Sequence, residues 1–161
     1  MPEDMIKPYF EKDHERLDRL FEEFQVTKAC DIVGAREPFE NFRRVLERHM
    51  AWEEEILFPL FESKTGLKGE GPTQVMRLEH EHLRMLLKNL QEKINHKEAA
   101  DDDQENELIA YLAQHNHKEE NMLYPMIDGS ITPEERQAVF KKIHGAPETG
   151  HRRLLLRYPQ S

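Results

Sequence analysis

The chain has 161 residues, with 32 acidic and 23 basic side chains, a net charge of −9, nine histidines and one cysteine. Only 37% of residues are apolar and 34% are charged, a balance that in a single-domain length points to disorder or to amphipathic helices with one narrow apolar face. The acidic excess argues against nucleic acid as a partner, and no run approaches the ~18 apolar residues of a membrane span. The lone Cys30 and a start without a leader-like profile predict a reducing, cytoplasmic setting.

Four long stretches carry apolar residues at helical spacing. The first is predicted from Pro8 to Val26, with stripe Phe10, His14, Leu17, Phe21 and Phe24. The second runs from Pro38 to Phe61, with stripe Phe42, Leu46, His49, Glu53, Ile56 and Leu60. After a glycine-containing loop the third spans Pro72 to Lys97, with stripe Met76, His80, Leu83, Leu87, Leu90 and Ile94. The fourth follows the acidic run Asp101-Asp102-Asp103 and ends near Ile127, with stripe Leu108, Leu112, His115, Glu119, Met122 and Met126. A shorter fifth helix begins at Thr132-Pro133-Glu134-Glu135, a capping-box pattern, and ends near Gly145.

These stripes repeat at a fixed offset of 66. His14 maps to His80, Leu17 to Leu83, Leu46 to Leu112, His49 to His115 and Glu53 to Glu119, and Leu57-Phe58-Pro59 maps to Leu123-Tyr124-Pro125. The expected fold class is all-α: an antiparallel up-down four-helix bundle of two duplicated helix pairs, plus a short C-terminal helix and tail. Residues 1–145 are expected to form one domain and 146–161 a tail that packs on the bundle or docks a partner.

The repeat also carries the chemistry. His49 and Glu53 stand four residues apart, as do His115 and Glu119, so each pair leaves one helix face. His14 and His80 sit on the facing stripes. A single histidine on an apolar stripe is ordinarily a core residue, but four histidines and two glutamates at one offset are a set. Two ionised carboxylates in a bundle interior cost several kcal/mol unless cations balance them, and no Lys or Arg shares these stripes. The inventory therefore suits two metals about 3.5–4 Å apart, each taking two His and a share of both Glu. Donors without sulfur suit iron, manganese or zinc. His82 and His117 should face sideways or outward, and His96, His144 and His151 have no repeat partners. Glu54, Glu55 and Glu120 are read as a solvated face, some of them accepting hydrogen bonds from imidazoles.

Asp13-His14-Glu15, His49 to Glu53 through Leu57-Phe58-Pro59, Glu79-His80-Glu81, and His115 to Glu119 through Leu123-Tyr124-Pro125 together resemble the hemerythrin-like HHE cation-binding family over residues 8 to 127. The resemblance implies two iron ions with an oxo or hydroxo bridge, manganese or zinc being alternatives. It assigns His14 and His49 to one ion and His80 and His115 to the other, with Glu53 and Glu119 bridging. Oxygen-carrying members place another histidine four residues after the third-helix ligand. Here that position is Arg84, with Asp18 as its repeat mate, so each iron would keep five ligands and one open position. An Asp18–Arg84 ion pair gating that position is a further expectation.

The resemblance points to binding of O2, peroxide or NO for sensing or detoxification. The alternatives are an iron-responsive interaction module whose folding depends on metal, and a peroxide-consuming or iron–sulfur-repair enzyme. A protein partner fits the former. No side chain is nominated as acid or base, and catalysis and oligomeric state are left open.

Overall fold

In the computed structural model, residues 4–97 and 102–145 are described. They form five helices without a strand among them. α1 spans Ile6–Cys30. α2 is α-helical over Arg36–Trp52, makes a π-helical turn at Glu53–Leu57 and resumes as α-helix over Phe58–Thr65. α3 spans Gly71–Asn95. α4 copies the α2 pattern, with Asp103–Lys118, a π-helical turn at Glu119–Leu123, and Tyr124–Ser130. α5 spans Pro133–Gly145. The expected helices lie largely within these spans, which mostly run a few residues further at each end. The expected tail at 146–161, His151 included, lies outside the described residues.

Short connections join long neighbours, and polar contacts fix their opposed directions. The amides of Ile6 and Lys7 at the start of α1 donate to the carboxylate of Asp128 at the end of α4, at 2.9 and 3.1 Å. At the other end, Lys28 of α1 bonds Asp102 and Glu105 where α4 begins. Asp128 thus caps α1 from another helix: a carboxylate at the positive end of a helix dipole satisfies two amides left without intrahelical acceptors. Between α2 and α3, Thr73 and Arg77 near the start of α3 bond Glu62 near the end of α2, at 2.8 and 3.1 Å. Gly66, at φ 75°, closes α2 in the left-handed conformation that glycine adopts freely. The capping box of α5 forms as read: Glu135 N–H donates to Thr132 Oγ1 at 3.1 Å, and Thr132 N–H donates to Glu135 Oε1 at 2.8 Å.

The bundle interior has three layers. One apolar cluster contains Leu17, Phe21, Phe24, Phe39, Phe42, Leu46, Leu83, Leu87, Leu90, Leu108 and Leu112. A second contains Ile6, Phe10, Leu57, Phe58, Phe61, Met76, Leu123, Tyr124 and Ile127, and α5 adds Val139 and Ile143. Along each long helix, the repeat-related histidines and glutamates lie where one cluster gives way to the other.

The π-helical turns correct the expected stripes. Within each turn the helix takes in one extra residue, and the inward face moves one position along the chain. Leu57 and Phe61 are buried where Ile56 and Leu60 were expected, and Leu123 and Ile127 are buried where Met122 and Met126 were expected. Met122 is 59% exposed and Met126 43%. The cause is legible in Pro59 and Pro125. Proline inside an α-helix removes an i→i−4 bond and crowds the carbonyl four residues back. The turn instead hands over to a fresh α segment whose second residue is the proline, where the missing N–H is least costly. The i→i−5 bonds run from Phe58 N–H to Glu53 O and from Tyr124 N–H to Glu119 O.

Candidate metal centre

All six residues singled out in the sequence meet in the middle layer. His14, His49, Glu53, His80, His115 and Glu119 are each at most 3% exposed. Their side-chain donors form two groups able to hold a cation, His14–His49–Glu119 and Glu53–His80–His115–Glu119. In the first group, His14 Nε2 is 3.2 Å from His49 Nε2 and 3.2 Å from Glu119 Oε1, and His49 Nε2 reaches across to Glu53 Oε1 of the second group at 3.4 Å. In the second, His80 Nε2 is 3.3 Å from Glu53 Oε1 and His115 Nε2 is 3.2 Å from Glu119 Oε1. The π-helical turns begin at the two glutamates themselves.

Each imidazole is oriented from behind by a carboxylate. His49 Nδ1 lies 2.8 Å from Asp13 Oδ2, His80 Nδ1 2.6 Å from Glu54 Oε2, His115 Nδ1 2.8 Å from Glu79 Oε1, and His14 Nδ1 2.8 Å from Glu120 Oε2. An ionised carboxylate only accepts, so each Nδ1–H donates and each Nε2 faces inward. Asp13 ties α1 to α2, Glu54 ties α2 to α3, Glu79 ties α3 to α4, and Glu120 ties α4 back to α1. The four bonds close a ring around the bundle. Asp13 and Glu79 are repeat mates, as are Glu54 and Glu120.

The charges inside this ring are opposed by burial and shaped by one another. Burial and then the adjacent Glu119 carboxylate push the carboxyl of Glu53 up. Burial would raise Glu119 too, but His115, with hydrogen bonds from Glu53, His115 and His14, holds it well below the usual range. Burial disfavours protonated His14, yet Glu119 and Glu120 raise it to about 9. Burial likewise opposes His115, and Glu119 and Glu79 raise it to about 10. These shifts belong to imidazoles that face carboxylates with only protons to neutralise them, and a divalent ion competes for the same lone pairs.

Cation binding fits the atoms left over. Glu53 Oε1, His80 Nε2 and Glu119 Oε2 are fully buried and have no hydrogen-bond partner. Such atoms cost about 1–3 kcal/mol each, more when charged. Three of them, pointing at one another in a layer of nitrogen and oxygen donors, are what a metal would satisfy.

Other expectations fall differently. Arg84 does not pair with Asp18. Its guanidinium forks Glu54 through Nη1 and Nη2, both at 3.0 Å, and its Nε donates to fully buried Glu47 at 2.7 Å. Asp18 is exposed. An α2 carboxylate pair has captured the arginine, because Glu54 already lies beside it on His80. Burial would raise the pKa of Glu54, but hydrogen bonds from His80 and Arg84 hold it at about 2. Glu55 is exposed, His117, His96 and His144 are exposed, and half-buried His82 lies against Tyr111 with the rings tilted and their centroids 4.4 Å apart.

Three functional positions escaped the sequence reading. Asp13 and Glu79 were visible only as text flanking a histidine, and the histidine each orients lies on the next helix. Tyr124 is the third: its hydroxyl is 2.8 Å from Glu53 Oε2 and 3.0 Å from Glu119 Oε1. The signal available was the pair Phe58/Tyr124, one hydroxyl in an otherwise apolar match.

Comparison with known proteins agrees with this arrangement. The family model of the hemerythrin HHE cation binding domain matches residues 6–127. An iron-sulfur cluster repair protein YtfE of Yersinia pestis (strain Pestoides F) is 35% identical over 89 residues, 50% of this chain and 40% of the relative. The protein of the same name from Yersinia pseudotuberculosis serotype O:1b (strain IP 31758) matches with the same identity and coverage. The chain thus covers 40% of the length of these curated relatives. No solved structure matches it significantly. No described helix is long and apolar enough to cross a membrane.

Proposed function

Because the chain belongs to the hemerythrin HHE cation-binding domain family, we propose that it is a non-haem di-iron protein that binds O2, peroxide or NO for sensing or detoxification. The carrying observation is the set of buried, unpartnered inner atoms, Glu53 Oε1, His80 Nε2 and Glu119 Oε2. His14 and His49 would hold one ion, His80 and His115 the other, and Glu53 and Glu119 both. Bound iron supplies redox electrons and a Lewis-acidic position for a small ligand.

The remaining work is done by the chain. The outer ring of Asp13, Glu54, Glu79 and Glu120 fixes each imidazole tautomer and aims Nε2 inward, which spares the centre the cost of ordering its donors on binding. The two apolar clusters exclude water on both sides, so charge interactions within the layer are stronger than at the surface.

A second reading, an iron–sulfur-repair enzyme, is favoured by the 35% identity to YtfE repair proteins. One experiment separates the two. Iron-loaded protein, reduced anaerobically, is titrated with O2, peroxide or NO while absorption is followed, and iron release to an apo iron–sulfur protein is assayed in parallel. Spectral change saturating at about one ligand per two irons, without iron transfer, supports small-molecule binding. Transfer with turnover supports repair, and no response to O2, peroxide or NO contradicts the leading reading.

A further inference from the structure

The two halves of the centre are not equivalent, and Tyr124 makes the difference. Its hydroxyl lies 2.8 Å from Glu53 Oε2, 3.0 Å from Glu119 Oε1, 3.3 Å from His49 Nε2 and 3.4 Å from His14 Nε2. A phenol has one proton to donate, yet two carboxylate oxygens and two imidazole nitrogens surround it. One hydrogen bond cannot satisfy two carboxylates and two imidazoles.

A shared cation can. Nitrogen and oxygen donors about 2.0–2.1 Å from one first-row ion stand about 3 Å apart when adjacent in an octahedron. Tyr124 Oη lies 2.8 to 3.4 Å from Glu53 Oε2, Glu119 Oε1, His49 Nε2 and His14 Nε2, and His14 Nε2 lies 3.2 Å from both His49 Nε2 and Glu119 Oε1. The hydroxyl therefore sits within the donor set and not behind it. At the repeat position of the other half stands Phe58, whose ring stacks on His80 with centroids 5.9 Å apart and offers no donor.

The geometry points to Tyr124 as a phenolate ligand of the ion held by His14 and His49. That ion is then closed by the protein, and the ion held by His80 and His115, beside Phe58, keeps the exchangeable position. The inference rests on the di-iron reading above. On binding, the O–Fe bond forms as the O–H bond breaks and the proton leaves to solvent, with no change in oxidation state.

The test uses the full chain loaded with iron and oxidised, with iron content measured on every sample. Ferric phenolate gives a visible charge-transfer band and resonance-enhanced tyrosine ring vibrations, neither of which histidine or carboxylate ligands produce. The expected result is that wild type shows both, Tyr124→Phe loses both while retaining at least half the iron, and Tyr9→Phe is unchanged. Phe58→Tyr is expected to add intensity to the band. Wild type carrying two ferric ions per chain without the band overturns the inference, and needs no variant to fold. A band with tyrosine ring enhancement that survives in Tyr124→Phe overturns it as well. A chain that loads no iron contradicts the di-iron reading itself, and is recognised by metal content and not by colour.

Discussion

The two halves of the bundle, α1 with α2 and α3 with α4, agree in the six inner donors and the carboxylates behind them, and diverge at residues packed against those groups. Four imidazoles, two inner glutamates, four outer carboxylates and both π-helical turns obey the 66-residue offset. Phe58 against Tyr124 and Asp18 against Arg84 do not, and each replaces an inert member by a hydroxyl or a guanidinium. The symmetric residues supply donors for the proposed cation pair, and the asymmetric ones would make its two sites chemically distinct. Duplication can produce a matched pair of half-sites; divergence around them is needed to give the halves different tasks.

Removing metal is the largest disturbance of the shared part. An ion present at a thousand times its dissociation constant stabilises the fold by ~4 kcal/mol, and in a chain of this size ~1 kcal/mol moves Tm by ~2–4 °C. Chelation is expected to lower Tm by about 10 °C or more in circular-dichroism melts. Next come the π-helical turns. Leu123→Ala, in the shifted buried register, should cost ~2–5 kcal/mol in urea unfolding, whereas Met122→Ala should stay within ~0.5 kcal/mol. Equal losses would contradict the one-residue shift, and the pair Leu57 and Ile56 should behave in the same sense in the other half.

Arg84→Ala sharpens the asymmetry. It strips buried Glu47 and half-buried Glu54 of one fork, and with partial exposure allowed for, a loss of ~2–3 kcal/mol is expected. Asp18→Ala, its repeat mate, should change stability by less than ~0.5 kcal/mol. The smallest effects belong to the outer ring. Asp13→Asn and Glu79→Gln should each weaken iron affinity by ~10–100-fold, within a few-fold of one another when measured by chelator competition. His82→Ala should leave affinity unchanged.

The sequence displayed the four-helix plan because its apolar stripes and their repeat depend only on local period and spacing. It displayed the six inner residues for the same reason: each lies on a stripe whose phase holds up to Glu53 and Glu119. Beyond those residues the phase failed, since a period of 3.6 assumes an unbroken α-helix and Pro59 and Pro125 impose a wider turn. The outer ring was only half visible. Glu54, Glu55 and Glu120 read as a solvated face with some of them accepting from imidazoles, which holds for Glu54 and Glu120 and not for exposed Glu55, while Asp13 and Glu79 carry no such signal because which histidine each orients depends on helix packing. Arg84 misled for a related reason: repeat symmetry suggested Asp18 as its partner, while proximity to Glu47 and Glu54 decided the pairing.

The central claim, a two-cation centre buried in the middle layer, is tested most directly by metal stoichiometry in the native protein. Elemental analysis of protein purified without chelator and supplied with ferrous iron is expected to give two transition-metal ions per chain, falling to one or none in Glu119→Ala. A folded chain that takes up no metal under those conditions, and melts at the same temperature with and without chelator, would contradict it.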